Sequence, residues 1–150
     1  LGCGTGLSGQ AFKRYADTLT GIDISEKMIA VAKQKEVYDD LIVGDIEELS
    51  DYQDIDLAIA ADVFSYIGDL NPIFKAITQS LKPGGYLTFS VEKGQGADFT
   101  IQETLRYAHS KNYLEALAAQ YDFKVIQIDN AVLRTQQKQP IQGYLCLFQK

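Results

Sequence analysis

The sequence predicts one α/β domain, doubly wound around a mostly parallel sheet with an antiparallel strand at its end. Three observations lead there. Apolar strand-like runs alternate with stretches of helical period, the order that builds a parallel sheet with helices on its faces. The 150 residues are one domain's length, and 46% hydrophobic with 23% charged residues excludes a disordered, collagen-like or coiled-coil chain. Asp23, Asp45 and Asp62 each stand at the end of a strand-like run, where open α/β sheets bind ligands.

Taken in order, residues 9–16 read as a helix with Phe12 and Ala16 facing inward, and 18–23 as a short strand. Ser25 suits an N-cap and Glu26 the positive end of a helix dipole, and the helix they open carries Met28, Ile29, Val31 and Ala32. Residues 41–43 form a strand ending at Gly44-Asp45. Residues 56–61 are a nearly continuous apolar strand, the kind covered on both faces. Asn71 caps the next helix, with Pro72 at its first position. Leu70, Ile73, Phe74, Ile77 and Leu81 follow the 3.6 period. Lys82-Pro83-Gly84-Gly85 ends that helix as a turn.

Leu87, Phe89 and Val91 then alternate with Thr88 and Ser90 as a strand. Residues 92–109 are polar, weakly periodic and interrupted by Gly94, Gly96 and Ala97, so they read as a long connection of the movable, functional kind. Ser110 caps a helix with Tyr113, Leu114, Leu117, Ala118 and Tyr121 on one face. Residues 123–128 form a strand, 136–140 a polar connection and 144–148 the last strand. Two strands joined without a helix predict an antiparallel hairpin closing the sheet.

Charge and composition exclude several functions. Lys and Arg total 14 against 20 Asp and Glu, and a net charge of −6 argues against a nucleic-acid partner. Cys3 and Cys146 make no disulfide framework, and with a single His they make no zinc site. No apolar run approaches the roughly 18 residues of a membrane helix and no signal peptide is visible; a cytoplasmic location without membrane contact is expected.

The start carries the chemistry. Gly4-x-Gly6-x-x-Gly9 meets the dinucleotide pattern, and Asp23 lies seventeen residues beyond Gly6, near the place of that pattern's ribose-binding acid. Glycines admit a ligand close to the backbone, and a following helix turns its N–H groups toward an anion. Such a turn normally follows a strand. The chain begins at Leu1 without one, so it reads as a piece cut from a longer protein. On these residues alone an NAD-dependent oxidoreductase stays open. So does a non-catalytic cofactor-binding scaffold. Bland roles also stay open: Asp23 as a turn acid, Asp45 capping residues 46–49 and Met28 as plain core. Tyr107 and His109 end the 92–109 connection, and His109 is the only imidazole, suited to take a proton near neutral pH. They are expected to line an acceptor pocket with Asp62 and Tyr66 opposite; the structural alternative, Tyr107 packed on the core and His109 shielding the helix start, stays equally open.

Five segments occur together in order: the Leu1–Gly9 turn, Gly21-Ile22-Asp23-Ile24-Ser25, Gly44-Asp45-Ile46, Ala60-Ala61-Asp62-Val63-Phe64 and Leu81-Lys82-Pro83-Gly84-Gly85. The set resembles the class I S-adenosylmethionine-dependent methyltransferases over the whole chain. The run from Ala60 to Leu70, with Arg106-Tyr107-Ala108-His109-Ser110, is similar to methyltransferases attached to TPR repeats. The resemblance implies a Rossmann-like methyltransferase fold whose first strand is missing here, with TPR repeats possible upstream. It implies S-adenosylmethionine as cofactor and a small molecule or protein as methyl acceptor. Gly2, Gly4 and Gly6 would line the methionine part, and Asp23 would accept from both ribose hydroxyls. Ile24 and Met28 would pack on adenine, with Asp45 accepting from its amine and the Ile46 N–H donating to the ring. Ala61 and Asp62 would sit near the sulfonium. The family usually has an acid just before the position of Leu1, which this chain does not reach. Neither cysteine follows a proline, and no Asn/Asp-Pro-Pro-Tyr/Phe segment is present. Cysteine-mediated cytosine methylation and amino methylation by that motif are therefore not expected.

Overall fold

The computed structural model describes residues 1–96, 98–136 and 138–150. Ala97 and Gln137, which the sequence reading put in connections, lie outside the described residues. The chain divides into two compact units, Leu1–Leu49 and Ser50–Lys150.

The first unit opens on the glycine turn and continues through α1 (Leu7–Phe12), a 3₁₀ turn (Lys13–Tyr15), β1 (Thr20–Asp23), α2 (Glu26–Lys33) and β2 (Asp40–Val43). β1 and β2 pair in parallel, from Thr20 opposite Asp40 to Asp23 opposite Val43. Ser25 caps α2 as expected, its hydroxyl accepting from the Met28 N–H. Ile29 and Ala32 are the buried side of that helix and pack with Cys3, Tyr38 and Leu41. Met28 and Val31 fall on the exposed side. Gly9 is explained by a close approach: a Cβ there would lie 2.3 Å from Tyr38 Cζ.

The second unit holds β3 (Ile55–Ala60), α3 (Asn71–Ser80), β4 (Leu81–Lys93), β5 (Phe99–Ile101), β6 (Tyr107–His109), α4 (Lys111–Gln120), β7 (Lys124–Gln136) and β8 (Gln139–Gln149). β3 and β4 run parallel, and β8 pairs antiparallel with both β4 and β7. The expected terminal hairpin is present, with β8 lying between β4 and β7. No second strand is hydrogen-bonded to β1 or to β3 among the described residues.

Six expectations need correction. Residues 56–61 are not covered on both faces: Ala58 and Ala60 are buried while Leu57 stays 41% exposed. Asn71 is not the cap of α3; it is the first helical residue, and the Asp69 carboxylate accepts its backbone N–H at 3.0 Å. That frees the Asn71 side chain to accept from Gln120 and Tyr121 at the end of α4. Residues 82–85 are not a plain turn after a helix. They lie inside β4, where the register jumps from Ile55–Leu81 to Leu57–Tyr86 and Gly84 takes a φ of 79°. The excursion is pinned by Lys150, whose carbonyl accepts from Gly84 N and whose N–H donates to Gly85 O.

Residues 92–109 are not a long mobile connection. β4 runs on to Lys93, and β5 and β6 form an antiparallel pair whose β6 joins β4 in parallel beside Glu92 and Lys93. β7 and β8 extend far beyond the predicted 123–128 and 144–148, because polar residues suffice for a hairpin with one open face. Most of the polar connection is therefore strand. Phe74 sits at the centre of the core, within 6.5 Å centroid distance of Phe64, Phe89, Tyr121, Phe123 and Phe148.

Candidate functional site

In the first unit, parallel pairing brings the carboxyl ends of β1 and β2 side by side. Asp23 ends β1, and Asp45 follows β2 by two residues. The Asp23 carboxylate accepts the Gly4 N–H at 2.8 Å through Oδ2 and the Ser25 N–H at 2.9 Å through Oδ1. It therefore ties the glycine turn to the start of α2. A carboxylate has about four acceptor positions, so two remain for hydroxyls of a ligand. Gly2 and Gly4 hold φ of 54° and 52°, and Gly6 85°, a left-handed run that side chains resist. A Cβ on Gly4 would meet nothing within 4 Å, so this backbone is open to a ligand. Ile24 and Met28, 75% and 43% exposed, leave apolar surface beside Asp23. Asp45 Oδ1 accepts the Glu47 N–H at 3.0 Å and so caps the 3₁₀ turn Ile46–Asp51, the bland role weighed from the sequence.

In the second unit, Ala61 and Asp62 follow β3. Asp62 takes a left-handed φ of 56°, and its N–H donates to Ser90 Oγ at 2.9 Å. Two guanidiniums meet on its Oδ1, Arg106 Nη1 and Arg134 Nη1, each at 2.9 Å. Arg106 arrives because β6 joins β4 just beyond the last β3 pair, Ala60–Phe89. Its Nη1 also donates to Ser65 Oγ, its Nη2 to Tyr66 Oη, and it lies 4.5 Å over the Tyr66 ring. Arg134 arrives by a bulge. The register passes from Val132–Gln142 to Arg134–Ile141, leaving Leu133 unpaired. Leu133 occupies the space a side chain at Gly143 would need, its Cδ1 2.3 Å from such a Cβ. The extra residue gives Arg134 the face that Leu133 would otherwise take. Arg134 Nη2 then bonds Glu92, a carboxylate 6% exposed.

The expectation that His109 and Tyr107 line an acceptor pocket is corrected by burial at His109, while Tyr107 stays half-buried. His109 is 0% exposed and stacked on Tyr113. Its Nε2 lies 2.9 Å from the Gly68 carbonyl, which only accepts, so Nε2 carries the proton. Nδ1 is buried without a hydrogen-bond partner among the described residues. Tyr107 packs against Phe99 at 6.1 Å, and both rings press on Gly68. Of the expected acceptor group, Asp62 and Tyr66 come together through Arg106.

Burial pushes the His109 imidazole below its usual 6.5, against the Gly68 and Ile67 carbonyls and the Glu92 charge. The folded state thus prefers neutral His109, whereas the unfolded chain protonates near 6.5. The unfolded state binds more protons below that pH, so stability is complete above about 6.5 and falls as the medium is acidified toward the lowered folded value. Melting curves from pH 8 to pH 5 should show this loss, and His109→Gln should flatten it. An equal slope in the variant would assign the acid sensitivity elsewhere.

Sequence reasoning misses Arg134 and Glu92 as site residues, and takes Ser65 and Arg106 only as parts of motifs. One signal was available: Arg106 and Arg134 are two of only three arginines in the chain. Among the described residues no group of three His, Cys, Asp or Glu could hold a metal, and no helix is long and apolar enough to cross a membrane.

With this geometry in hand, known proteins bear comparison. A family model described as a methyltransferase domain matches residues 1–89. A malonyl-[acyl-carrier protein] O-methyltransferase of Priestia megaterium is 40% identical over 119 residues, covering 76% of this chain and 42% of that protein. The chain thus spans less than half of that relative's length. A crystal structure of an S-adenosylmethionine-dependent methyltransferase from Methanosarcina mazei aligns over 99% of this chain and 89% of its own, with a TM-score of 0.80 at 19% identity. A 1,6-didemethyltoxoflavin-N1-methyltransferase from Burkholderia thailandensis, with 1,6-didemethyltoxoflavin and S-adenosylhomocysteine bound, aligns over 99% of this chain and 68% of its own, with a TM-score of 0.81 at 17% identity. These likenesses bear out the expected Rossmann-like α/β fold with mixed strands.

Proposed function

Because this chain belongs to the methyltransferase-domain family, we propose that it transfers a methyl group from S-adenosylmethionine to a small-molecule acceptor. The observation that carries the reading is Asp23, a carboxylate at the end of β1 with two backbone contacts and acceptor positions to spare. It receives the two ribose hydroxyls, and charge-assisted bonds of that kind are about twice as strong as neutral ones. The left-handed turn of Gly2, Gly4 and Gly6, open at Gly4, receives the methionine part, and Ile24 and Met28 cover adenine with surface that is otherwise wet. Asp45 and the Ile46 N–H read the adenine edge. These residues fit the cofactor. When bound, it supplies a methyl group already activated on sulfur. The chain's part is to hold the acceptor in line with the methyl–sulfur bond.

A small-molecule acceptor is in keeping with the 1,6-didemethyltoxoflavin of the Burkholderia thailandensis protein, whereas the Priestia megaterium relative is named for a malonyl group held on an acyl-carrier protein. The similarity of residues 60–70 and 106–110 to methyltransferases attached to TPR repeats extends the proposal to a protein that also carries such repeats. Heat stabilisation tests the cofactor. At 100 times its Kd, S-adenosylhomocysteine should add about 2.7 kcal/mol, or roughly 5–10 °C for a domain of this size. NADH at the same concentration should add nothing. Stabilisation by NADH instead would replace this reading with the oxidoreductase.

A further inference from the structure

We propose that the methyl acceptor carries a carboxylate and that Arg106 and Arg134 are the groups that bind it. The inference rests on the methyltransferase reading and specifies the acceptor for it. The two arginines converge on a single oxygen, Asp62 Oδ1, each through one N–H. That is a poor use of both. A guanidinium meets a carboxylate best through two parallel bonds, and here neither does so with Asp62.

The cluster also has an inner and an outer side. Glu92 is buried and holds Arg134 from within. Ser65 and Tyr66 brace Arg106 with neutral oxygens. Asp62 lies outward, its side chain 48% exposed against 20% for each arginine. With Asp62 in place the four charges cancel. When its carboxylate swings out, the cluster is left with one net positive charge and two N–H groups aimed at one point. Asp62 is thus a place-holder that an acceptor carboxylate displaces. An oxygen accepting from two guanidiniums has its lone pairs engaged and makes a weak nucleophile, so the bound carboxylate anchors the acceptor and the methyl group goes to another atom.

The probe is malonate, with malonamide as its uncharged analogue, titrated into the full chain saturated with S-adenosylhomocysteine. The readout is the Arg106 and Arg134 Nε–H resonances together with the Asp62 amide. Malonate should shift all three saturably and malonamide should not. Arg106→Gln should weaken malonate at least tenfold while S-adenosylhomocysteine affinity stays within about twofold. Arg134→Gln alone would strand the buried Glu92 charge, so the paired variant Glu92→Gln/Arg134→Gln is the second arm, with the same expected loss. Unsaturable shifts, equal shifts from malonamide, or undiminished malonate binding in both variants would overturn the proposal. Malonate binding by a chain that fails to bind S-adenosylhomocysteine would overturn the methyltransferase reading and leave the anion site standing. The reverse would overturn the anion site alone.

Discussion

Replacing Asp23 with Ala is expected to weaken S-adenosylhomocysteine by about 10- to 150-fold or more. The 10- to 150-fold range comes from the ribose alone: a hydrogen bond to a charged acceptor contributes about 1.5–3 kcal/mol, and each 1.4 kcal/mol is tenfold in affinity. The structure adds a second loss. Asp23 also holds the Gly4 and Ser25 N–H groups, so the variant loosens the glycine turn at Gly4, although the Cys3 N–H stays on the Ile22 carbonyl of β1, and the ligand must order the loosened part again. Asp23→Asn separates the two effects. It keeps the side chain's size and one carbonyl oxygen, but its amide faces an N–H it cannot accept from. Its affinity should fall between wild type and Asp23→Ala. Calorimetric titration at fixed pH measures both, and unchanged affinity in Asp23→Ala would remove the ribose assignment.

The largest loss of stability is expected from Phe74→Ala. Phe74 is 0% exposed and meets five other rings: Phe64 in a 3₁₀ turn, Tyr121 at the end of α4, Phe123 just before β7, and Phe89 and Phe148 in two strands. A buried Phe→Ala change costs about 3–5 kcal/mol, transfer and cavity together. For a domain of this length each kcal/mol lowers Tm by roughly 2–4 °C, so a drop of about 6–20 °C should appear in calorimetry. A fall of less than about 2 °C would mean that the ring cluster is not where this unit draws its stability.

What the sequence shows and what it hides divide along a physical line. α3 was legible because Ile73, Phe74 and Ile77 recur at helical spacing and all three are buried. Ser25 and Ser110 were legible because a cap depends on one hydroxyl and the next few N–H groups, which are local in sequence. Asp23, Asp45 and Asp62 were placed correctly at strand ends, since a strand's end is also a local feature. The second arginine was hidden. Arg134 reaches Asp62 through a bulge at Leu133, between the Val132–Gln142 and Arg134–Ile141 pairs, and nothing in the residues around 134 announces a pairing with 141. The β5–β6 pair was hidden for a related reason: three-residue strands give too few alternations to detect. His109 misled because polarity was read as exposure. Its partner is the Gly68 carbonyl, forty-one positions away, and that contact cannot be read from the chain.

β8 has a consequence for how the protein is made. It is the last strand of this sequence to leave the ribosome, yet its place is between two strands made before it. β7 has no other strand partner among the described residues, β4 waits with one side unsatisfied, and β4 finds β8 only across 58 positions, where Thr88 Oγ1 donates to the Cys146 carbonyl. Closing so long a loop comes before any reward, which slows folding. In that interval Leu87, Phe89 and Val91, all buried once β8 is home, are open to a neighbouring nascent chain. Yield at high expression should then depend on how quickly Gln139–Gln149 finds its slot, and a chaperone that shields β4 would help more than one that acts on the finished fold.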